Sequence, residues 1–179
     1  SHLTEQVLPV DQQQRFAGRL KERLHELEHQ VRDMLVFARG DLPLPDRLTP
    51  KTLFTALRAA AEPHVQGHAV RWQCDSHTGE LLCNRDTLVG ALLNLVENAV
   101  QAAGPQARLK VHLYSRGQQL RLCISDNGEG IDSATLERLG EPFFTTKAPG
   151  AGTGLGLAVV HGIVKAHRGV IDLHSQPGE

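Results

Sequence analysis

The sequence predicts an α+β protein: one long helix, then a sandwich in which helices cover one face of a mixed, mostly antiparallel sheet. Residues 11–39 and 85–103 repeat apolar positions every three or four residues, which indicates helices. Residues 108–115 and 118–125 alternate apolar and polar side chains, which indicates strands. With 179 residues, 40% of them hydrophobic, the chain is large enough to bury a core of this kind.

The long predicted helix carries one narrow apolar stripe. Its members follow one another at alternating steps of four and three residues: Leu20, Leu24, Leu27, Val31, Met34 and Ala38. This spacing is typical of the seam between packed helices. Asp11 can cap the start of the helix, and Gly40 followed by Pro43 ends it. The stripe therefore needs a partner helix, from upstream residues or a second copy, unless it packs on the chain's own globular part.

After a proline-containing linker at residues 41–47, helices and strands alternate. The predicted elements are a helix from Pro50 to the break at Pro63, a strand at 69–75, a short strand at 80–83, a helix at 85–103, strands at 108–115 and 118–125, a short helix around 132–139, a helix through Ala166 and a strand at 170–175. Gly104 and Pro105 end the helix at 85–103, and Arg116-Gly117 marks a hairpin.

Charge and hydropathy limit the possible partners. The 19 basic and 20 acidic residues give a formal net charge of −1, which argues against a nucleic-acid binder that relies on bulk positive charge. No apolar run approaches the roughly 18 residues of a membrane-spanning helix, and no signal peptide opens the chain. We therefore expect no nucleic-acid partner, no membrane segment in this chain and a cytoplasmic location.

The predicted helix at 85–103 places three amides on one face, because Asn94, Asn98 and Gln101 stand at positions i, i+4 and i+7. Asparagine is a mediocre helix former, and Glu or Lys would suit a plain solvent face better. An amide oxygen is a hard, neutral ligand of the kind that Mg²⁺ accepts. From the helix alone, a magnesium site and a set of surface amides remain equally open.

Two glycine-containing segments follow this helix. In SDNGEGI (125–131), a carboxylate and two glycines come directly after a predicted strand, as in a tight turn or a ligand-binding loop. In PGAGTGLGLAVV (149–160), alternating glycines precede a helix, where main-chain N–H groups and the helix dipole attract anions. The second segment is neither a Walker A loop nor a GxGxxG fingerprint, and taken alone it also suits a flexible loop.

The order of these segments carries a family resemblance. The Asn-bearing helix, DNGEG (126–130), EPFFTTK (141–147) and GTGLGL (152–157) resemble the N, G1, F and G2 boxes of sensor histidine kinases of two-component systems. These kinases share the Bergerat, or GHKL, ATP-binding fold with gyrase-type ATPases and heat-shock chaperones. The resemblance covers residues 47–179 and implies an α/β sandwich of that type. The residues of the motifs FFTTK and GTGLGLAVV are most similar to those of nitrogen-regulator-like kinases, and among these to the flagellar-regulatory members.

The resemblance implies a role for each motif. Asp126 accepts a hydrogen bond from the adenine amino group, and Asn98 is the Mg²⁺ ligand. Phe143 and Phe144 anchor the base of a mobile lid at 145–153, which also supplies a phosphate-binding lysine. The implied cofactors are ATP and Mg²⁺. The implied nucleotide-binding residues are Asn94, Asn98, Asp126, Gly128, Gly130, Ile131, Lys147, Gly152, Thr153, Gly154, Leu155 and Gly156.

The resemblance also implies three parts of the chain. Residues 1–40 correspond to a partial dimerisation hairpin, 41–47 to a linker, and 48–179 to the catalytic ATP-binding domain, with a last strand expected beyond residue 179. None of the ten histidines lies in a phosphoacceptor motif, so the acceptor His is expected upstream of this chain. We therefore assign no residue as catalytic and expect no autophosphorylation.

The implied function is that of a sensor histidine kinase, which transfers the ATP γ-phosphoryl group to a His outside this chain. The implied partners are the receiver domain of a response regulator and a second copy of the kinase. Members of the fold that hydrolyse ATP carry Glu where this chain has Asn94, and an amide cannot take a proton from water. A GHKL-type ATPase and a non-catalytic ATP-binding scaffold are the alternatives.

Overall fold

A computed structural model describes residues 12, 14–18, 20, 42–146 and 154–177. The first seven of these residues are helical, but most of the apolar stripe predicted for the long helix lies outside the described residues. The division into dimerisation hairpin, linker and catalytic domain therefore stays a prediction. Within the described ranges, no helix is both long enough and apolar enough to cross a membrane.

The described elements agree with the predicted order. In chain order they are β1 (Asp46–Leu48), α1 (Pro50–Ala61), β2 (Ala69–Cys74), β3 (Leu81–Cys83), α2 (Arg85–Ala103), β4 (Arg108–Arg116), β5 (Gln119–Ser125), α3 (Ser133–Arg138) and α4 (Gly156–Ala166). Every helix and strand predicted between Pro50 and Ala166 is present. β1 was not predicted, because three residues beside two prolines give no periodic signal.

Local capping explains where the helices begin and end. The N-terminus of α1 is capped by Thr49, whose Oγ1 accepts a hydrogen bond from Thr52 N at 3.2 Å. Asn84 caps α2 in the same way, accepting from Thr87 N at 3.2 Å. Gly104 ends α2 with a φ of 67°, a conformation that favours glycine. These signals lie in the sequence itself, so the predicted bounds of α2 match the structure.

The main sheet has three strands in the order β2-β4-β5. β2 runs parallel to β4, with Ala69 opposite Arg108, and β5 runs antiparallel to β4, with Ser125 opposite Lys110. β1 and β3 form a separate antiparallel pair. Among the described strands, two of the three pairings are antiparallel, which confirms a mixed, mostly antiparallel arrangement.

Helices α1 and α2 pack on the main sheet, and α4 packs against α2. On β4, Leu109 and Val111 are buried, whereas Lys110 between them is exposed. The helices and the sheet meet in side chains that are at most 1% exposed: Leu57, Val96, Val111, Leu113 and Val160. Each of these contributes about 1.5–3 kcal/mol by leaving water. This core holds α2 between α1 and α4, which decides where its amide face points.

The strand predicted at 170–175 is not formed, and this prediction is wrong. Exposure still alternates there as it would in a strand, with Val170 exposed and Ile171 half-buried. However, no ladder of main-chain hydrogen bonds joins the segment to the described strands. Instead, Ile131 N donates to the side chain of Ser175 at 2.8 Å, where a ladder would use a carbonyl. The segment therefore supports the neighbouring loop through a side chain.

Candidate functional site

The two predicted metal-site amides lie one turn apart on α2 and are joined. Asn98 Nδ2 donates a hydrogen bond to Asn94 Oδ1 at 2.8 Å, and both side chains are half-buried. The bond fixes the orientation of both amides, because each amide has one acceptor and one donor end. Asn98 Oδ1 then points away from Asn94, and no described residue donates to it. This oxygen is the acceptor that a hard cation could use.

The N-terminus of α4 lies against this pair of amides. Gly156 is the first residue of α4, and a Cβ there would stand 3.1 Å from both Asn94 Oδ1 and Asn94 Nδ2. Leu155, which precedes the helix, has no polar side chain to cap it. The main-chain N–H groups and the positive end of the helix dipole are therefore next to the amides, where an anion would be stabilised.

The Asp126 loop rests on the last turn of α2. Asp126 is exposed, and its Oδ1 accepts a hydrogen bond from Gly128 N at 2.8 Å. Gly128 lies so close to α2 that a Cβ there would be 2.9 Å from the Ala102 carbonyl oxygen. One helix thus carries Asn98 and, about one turn further on, supports the loop of Asp126. The second carboxylate oxygen of Asp126 has no partner among the described residues.

The far side of the same loop lies against residues 175–177. Gly130 has a φ of 77°, and a Cβ there would collide with the main chain of Gln176. The next residue, Ile131, donates its N–H to Ser175 Oγ at 2.8 Å. The predicted residues Gly128, Gly130 and Ile131 are therefore all backbone positions that fix the loop, and two of them exclude any side chain.

The ends of the predicted lid meet at one point. Phe143 N donates to Gly154 O at 3.0 Å, and a Cβ on Gly154 would stand 2.7 Å from the Phe143 carbonyl oxygen. Phe143 is 69% exposed and has a φ of 70°, which is unusual for a bulky residue. Phe144 is half-buried beneath the guanidinium of Arg138, 4.1 Å from the ring centroid. Both phenylalanines thus lie at the base of the predicted lid.

Three of the predicted site residues, Lys147, Gly152 and Thr153, lie outside the described residues. Their predicted roles remain predictions. The structure brings the other nine together around α2, the Asp126 loop and the start of α4. Among the described residues, no cluster of three or more His, Cys, Asp or Glu side chains could hold a metal. A magnesium site built on one amide does not need such a cluster, because Mg²⁺ keeps several waters.

Two structurally important residues were missed from the sequence. Asn127 Oδ1 accepts a hydrogen bond from Arg108 N at 2.6 Å. His167 Nε2 accepts from Asn84 N at 3.0 Å, and its Nδ1 donates to Ile163 O at 2.7 Å. His167 therefore ties the end of α4 to the start of α2. Both contacts join distant parts of the chain, so no local pattern predicts them.

Comparison with known proteins agrees with this geometry. Residues 83–179, more than half of the chain, match the family described as histidine kinase-, DNA gyrase B-, and HSP90-like ATPases. The chain belongs to this family. The predicted Bergerat-type (GHKL) fold is therefore confirmed for the chain, and the matched family agrees with the predicted use of ATP.

Individual members of the family are similar over most of the chain. The sensor protein kinase FleS of Pseudomonas aeruginosa is 73% identical over 177 residues, which are 99% of this chain and 44% of FleS. The chain thus spans less than half of this relative. By its name FleS is a sensor protein kinase, which agrees with the predicted resemblance to sensor kinases.

Solved structures show the same fold. The histidine kinase AdeS of Acinetobacter baumannii is 26% identical, with a TM-score of 0.71 over 89% of this chain and 77% of AdeS. The histidine kinase ThkA, crystallised with the response regulator protein TrrA, gives a TM-score of 0.66 at 18% identity, over 93% of this chain and 48% of the ThkA chain. At that identity the likeness to ThkA shows the fold alone.

Proposed function

We propose that this chain is the catalytic part of a sensor histidine kinase, which binds Mg-ATP and transfers the γ-phosphoryl group to a His outside the chain. The observation that carries the proposal is the Asn94–Asn98 amide pair, packed against the start of α4. It combines an acceptor for a cation with a helix N-terminus for an anion. Mg-ATP presents both charges next to each other.

The residue at position 94 favours transfer of the γ-phosphoryl group to a histidine over hydrolysis of ATP by water. Asn94 Oδ1 already accepts a hydrogen bond from Asn98, and a neutral amide is too weak a base to remove a proton from water. No carboxylate stands at this position to activate a water molecule. ATP held here would therefore persist until a better nucleophile, such as a histidine nitrogen, reaches the γ-phosphorus.

The residues present fit Mg²⁺, and Asn98 would hold it through Oδ1. When bound, Mg²⁺ would offset the negative charge of the phosphates. Asn94 would orient Asn98 through the hydrogen bond between the two amides. Gly154, Leu155 and Gly156 would direct main-chain N–H groups at the phosphates, together with the predicted contacts of Gly152, Thr153 and Lys147.

The adenine end of the nucleotide would lie at the Asp126 loop. The free carboxylate oxygen of Asp126 accepts a hydrogen bond from the adenine amino group, whereas guanine presents a carbonyl there. Gly128, Gly130 and Ile131 would hold the loop main chain flat against the base. This assignment is supported by the exposure of Asp126 and by the close packing of both glycines.

In the proposed reaction, a histidine nitrogen attacks the γ-phosphorus in line with the bond to ADP. The new N–P bond forms as the P–O bond breaks, ADP leaves with the electron pair, and the histidine proton passes to solvent. An Asp carboxylate of a response regulator receiver domain then takes the phosphoryl group. ThkA was crystallised with a response regulator, which supports such a partner for a protein of this fold.

The proposed arrangement of the whole kinase follows the predicted parts. Residues 1–40 would belong to a helical hairpin through which two copies dimerise, and 41–47 would link it to the catalytic domain at 48–179. The acceptor His would lie upstream in the same hairpin. We place this arrangement in the cytoplasm, where ATP and response regulators are found.

The test is transfer of label between two chains. This chain is mixed with γ-labelled ATP and a longer form of the kinase that has the acceptor His but carries Asp126→Asn. Label on the longer form supports the kinase, and the same mixture made with Asp126→Asn in both chains should stay unlabelled. Release of inorganic phosphate without labelled protein would favour an ATPase. Bound ATP with neither product would favour a scaffold.

A further inference from the structure

Asn127 ties the Asp126 loop to the segment between α2 and β4. Its Oδ1 accepts a hydrogen bond from Arg108 N at 2.6 Å, and its Nδ2 donates to Gln106 O at 3.4 Å. Gln106 ends the 3₁₀ turn that follows α2, and Arg108 begins β4. Two hydrogen bonds from one side chain thus fix the residue next to Asp126.

The strand register explains why a side chain is used here. β5 pairs with β4 from Gln119, opposite Arg116, to Ser125, opposite Lys110. Continued by two residues, the same register would place position 127 opposite Arg108. Asn127 occupies that place, but its side-chain oxygen, not its main-chain carbonyl, takes the Arg108 N–H. The main chain at 126–128 is then free to leave the sheet and form the loop.

Asp126 is therefore held between two fixed points. On one side, Asn127 binds the main chain that follows α2, and on the other side, Gly128 packs on Ala102 and donates its N–H to Asp126 Oδ1. Ala102 lies in the last turn of the helix that carries Asn98, and the partners of Asn127 lie in the turn and strand that directly follow it. The distance between the carboxylate and the amide pair is thus set by this helix and by Asn127.

From this geometry we propose that Asn127 is a positioning residue for adenine recognition, which aims the Asp126 carboxylate at the base. This inference rests on the proposed role of Asp126. Only a short side chain with both an acceptor and a donor makes the two bonds. Aspartate keeps the acceptor for Arg108 N, alanine keeps neither, and this difference provides a matched pair of variants.

The experiment compares ATP with purine riboside triphosphate, which lacks the amino group. The ratio of their two dissociation constants reports the hydrogen bond to Asp126 and is unaffected by a general loss of folded protein. We expect Asn127→Ala to weaken ATP about fivefold to tenfold, the value of one hydrogen bond, and to leave the analogue nearly unchanged. Asn127→Asp should retain most of the wild-type ratio.

The outcomes separate this inference from the proposed function. If Asn127→Ala weakens both ligands equally or neither, the ratio is preserved and Asn127 has no positioning role. If the wild-type protein shows no effect of the amino group, or if Asp126→Ala keeps the full wild-type effect, the adenine role of Asp126 itself fails, and the inference fails with it. Should Asn127→Ala not fold, Asn127→Ser, whose hydroxyl is too short to span both partners, replaces it with the same expected ratio.

Discussion

Gly156 and Asn94 are in contact at the point where α4 meets α2. A Cβ added to Gly156 would stand 3.1 Å from both polar atoms of the Asn94 amide. Because Asn94 in turn accepts the hydrogen bond from Asn98, this contact reaches the proposed magnesium ligand through one intermediate residue. Glycine is therefore favoured at the start of α4 for a steric reason, in addition to its main-chain N–H. Without a side chain, it lets the helix N-terminus approach the amides.

Replacing Gly156 by alanine tests this relationship. The added Cβ would displace Asn94 by a few tenths of an ångström and so disturb the amide pair that would hold Mg-ATP, and we expect Mg-ATP to bind about tenfold more weakly. The melting temperature should fall little, since alanine favours the helix. Binding is measured by calorimetry and stability by thermal unfolding. Lys165→Ala, an exposed change on the same helix, is the control, and equal affinity in both variants would contradict the contact.

The proposed metal role of Asn98 predicts a difference between two forms of the nucleotide. Asn98→Ala removes the oxygen that would hold Mg²⁺, so Mg-ATP affinity should fall much more than the affinity for ATP in a chelator. Both are measured by calorimetry, with Arg85→Ala at the far end of α2 as the control. Equal losses with and without magnesium would show that Asn98 serves only the fold of the site.

The proposed adenine contact predicts the effect of Asp126→Asn. The new amide can present an NH₂ group to the adenine amine, and two donors facing each other repel. We expect nucleotide binding to fall below detection in calorimetry, while the melting temperature stays close to the wild-type value because Asp126 is exposed. Asp172→Asn removes an equivalent exposed charge elsewhere and should bind normally. Unchanged affinity in Asp126→Asn would refute the assignment.

The features that the sequence predicts correctly depend on neighbouring residues. The bounds of α2 follow from the cap at Asn84 and the glycine at 104, and the β4–β5 hairpin follows from alternation on both sides of Gly117. The order of the motifs then locates Asp126, Asn94 and Asn98. Each of these signals spans only a few residues, so it can be read without knowing the fold.

The features that could not be predicted depend on distant residues. The parallel pairing of β2 with β4 joins Ala69 to Arg108 across the whole of α2. The Ser175 bond to Ile131 replaces a strand pairing that alternation alone had suggested. Asn127 stands in the quoted motif, yet its role follows from the register of β4 and β5. The partner of a side chain across the sheet depends on how distant segments pack together. It therefore produces no periodic pattern in the sequence.

The N-terminus of α3 predicts a pH dependence of stability. Hydrogen bonds from Thr135 Oγ1, at 2.7 Å, and Thr135 N, at 2.9 Å, lower the pKa of Asp132 below its ordinary value of 3.8. A carboxyl whose pKa is lower in the folded state stabilises the fold at higher pH, and this contribution is lost as the pH falls through the folded-state pKa.

The measurement is urea unfolding of the wild type and Asp132→Asn at several pH values. Their difference in unfolding free energy should be constant above about pH 5 and shrink below about pH 4, because only the wild type loses a charge. Thr135→Val removes the hydroxyl but keeps the N–H. The difference in unfolding free energy between Thr135→Val and Asp132→Asn should therefore vary less with pH than the difference between the wild type and Asp132→Asn. A constant wild-type difference from pH 6 to pH 3 would contradict the role of this carboxylate.

Replacing His167 should lower the stability of the protein without a direct effect on the proposed nucleotide site. Its Nε2 is the acceptor for the half-buried Asn84 N–H, and Asn84 also caps α2. His167→Ala leaves that N–H without a partner, so we expect the free energy of unfolding to fall by about 1–3 kcal/mol and the urea midpoint to fall with it. His174→Ala, which changes an exposed histidine in the following segment, should change the midpoint little.

A glutamine variant tests whether the hydrogen bond or the ring causes the loss. Because Nδ1 donates to Ile163 O, the imidazole presents Nε2 as an acceptor, and His167→Gln can offer an amide oxygen in its place. Partial recovery in His167→Gln would support the hydrogen bond, whereas equal losses in the Ala and Gln variants would attribute the effect to packing of the ring.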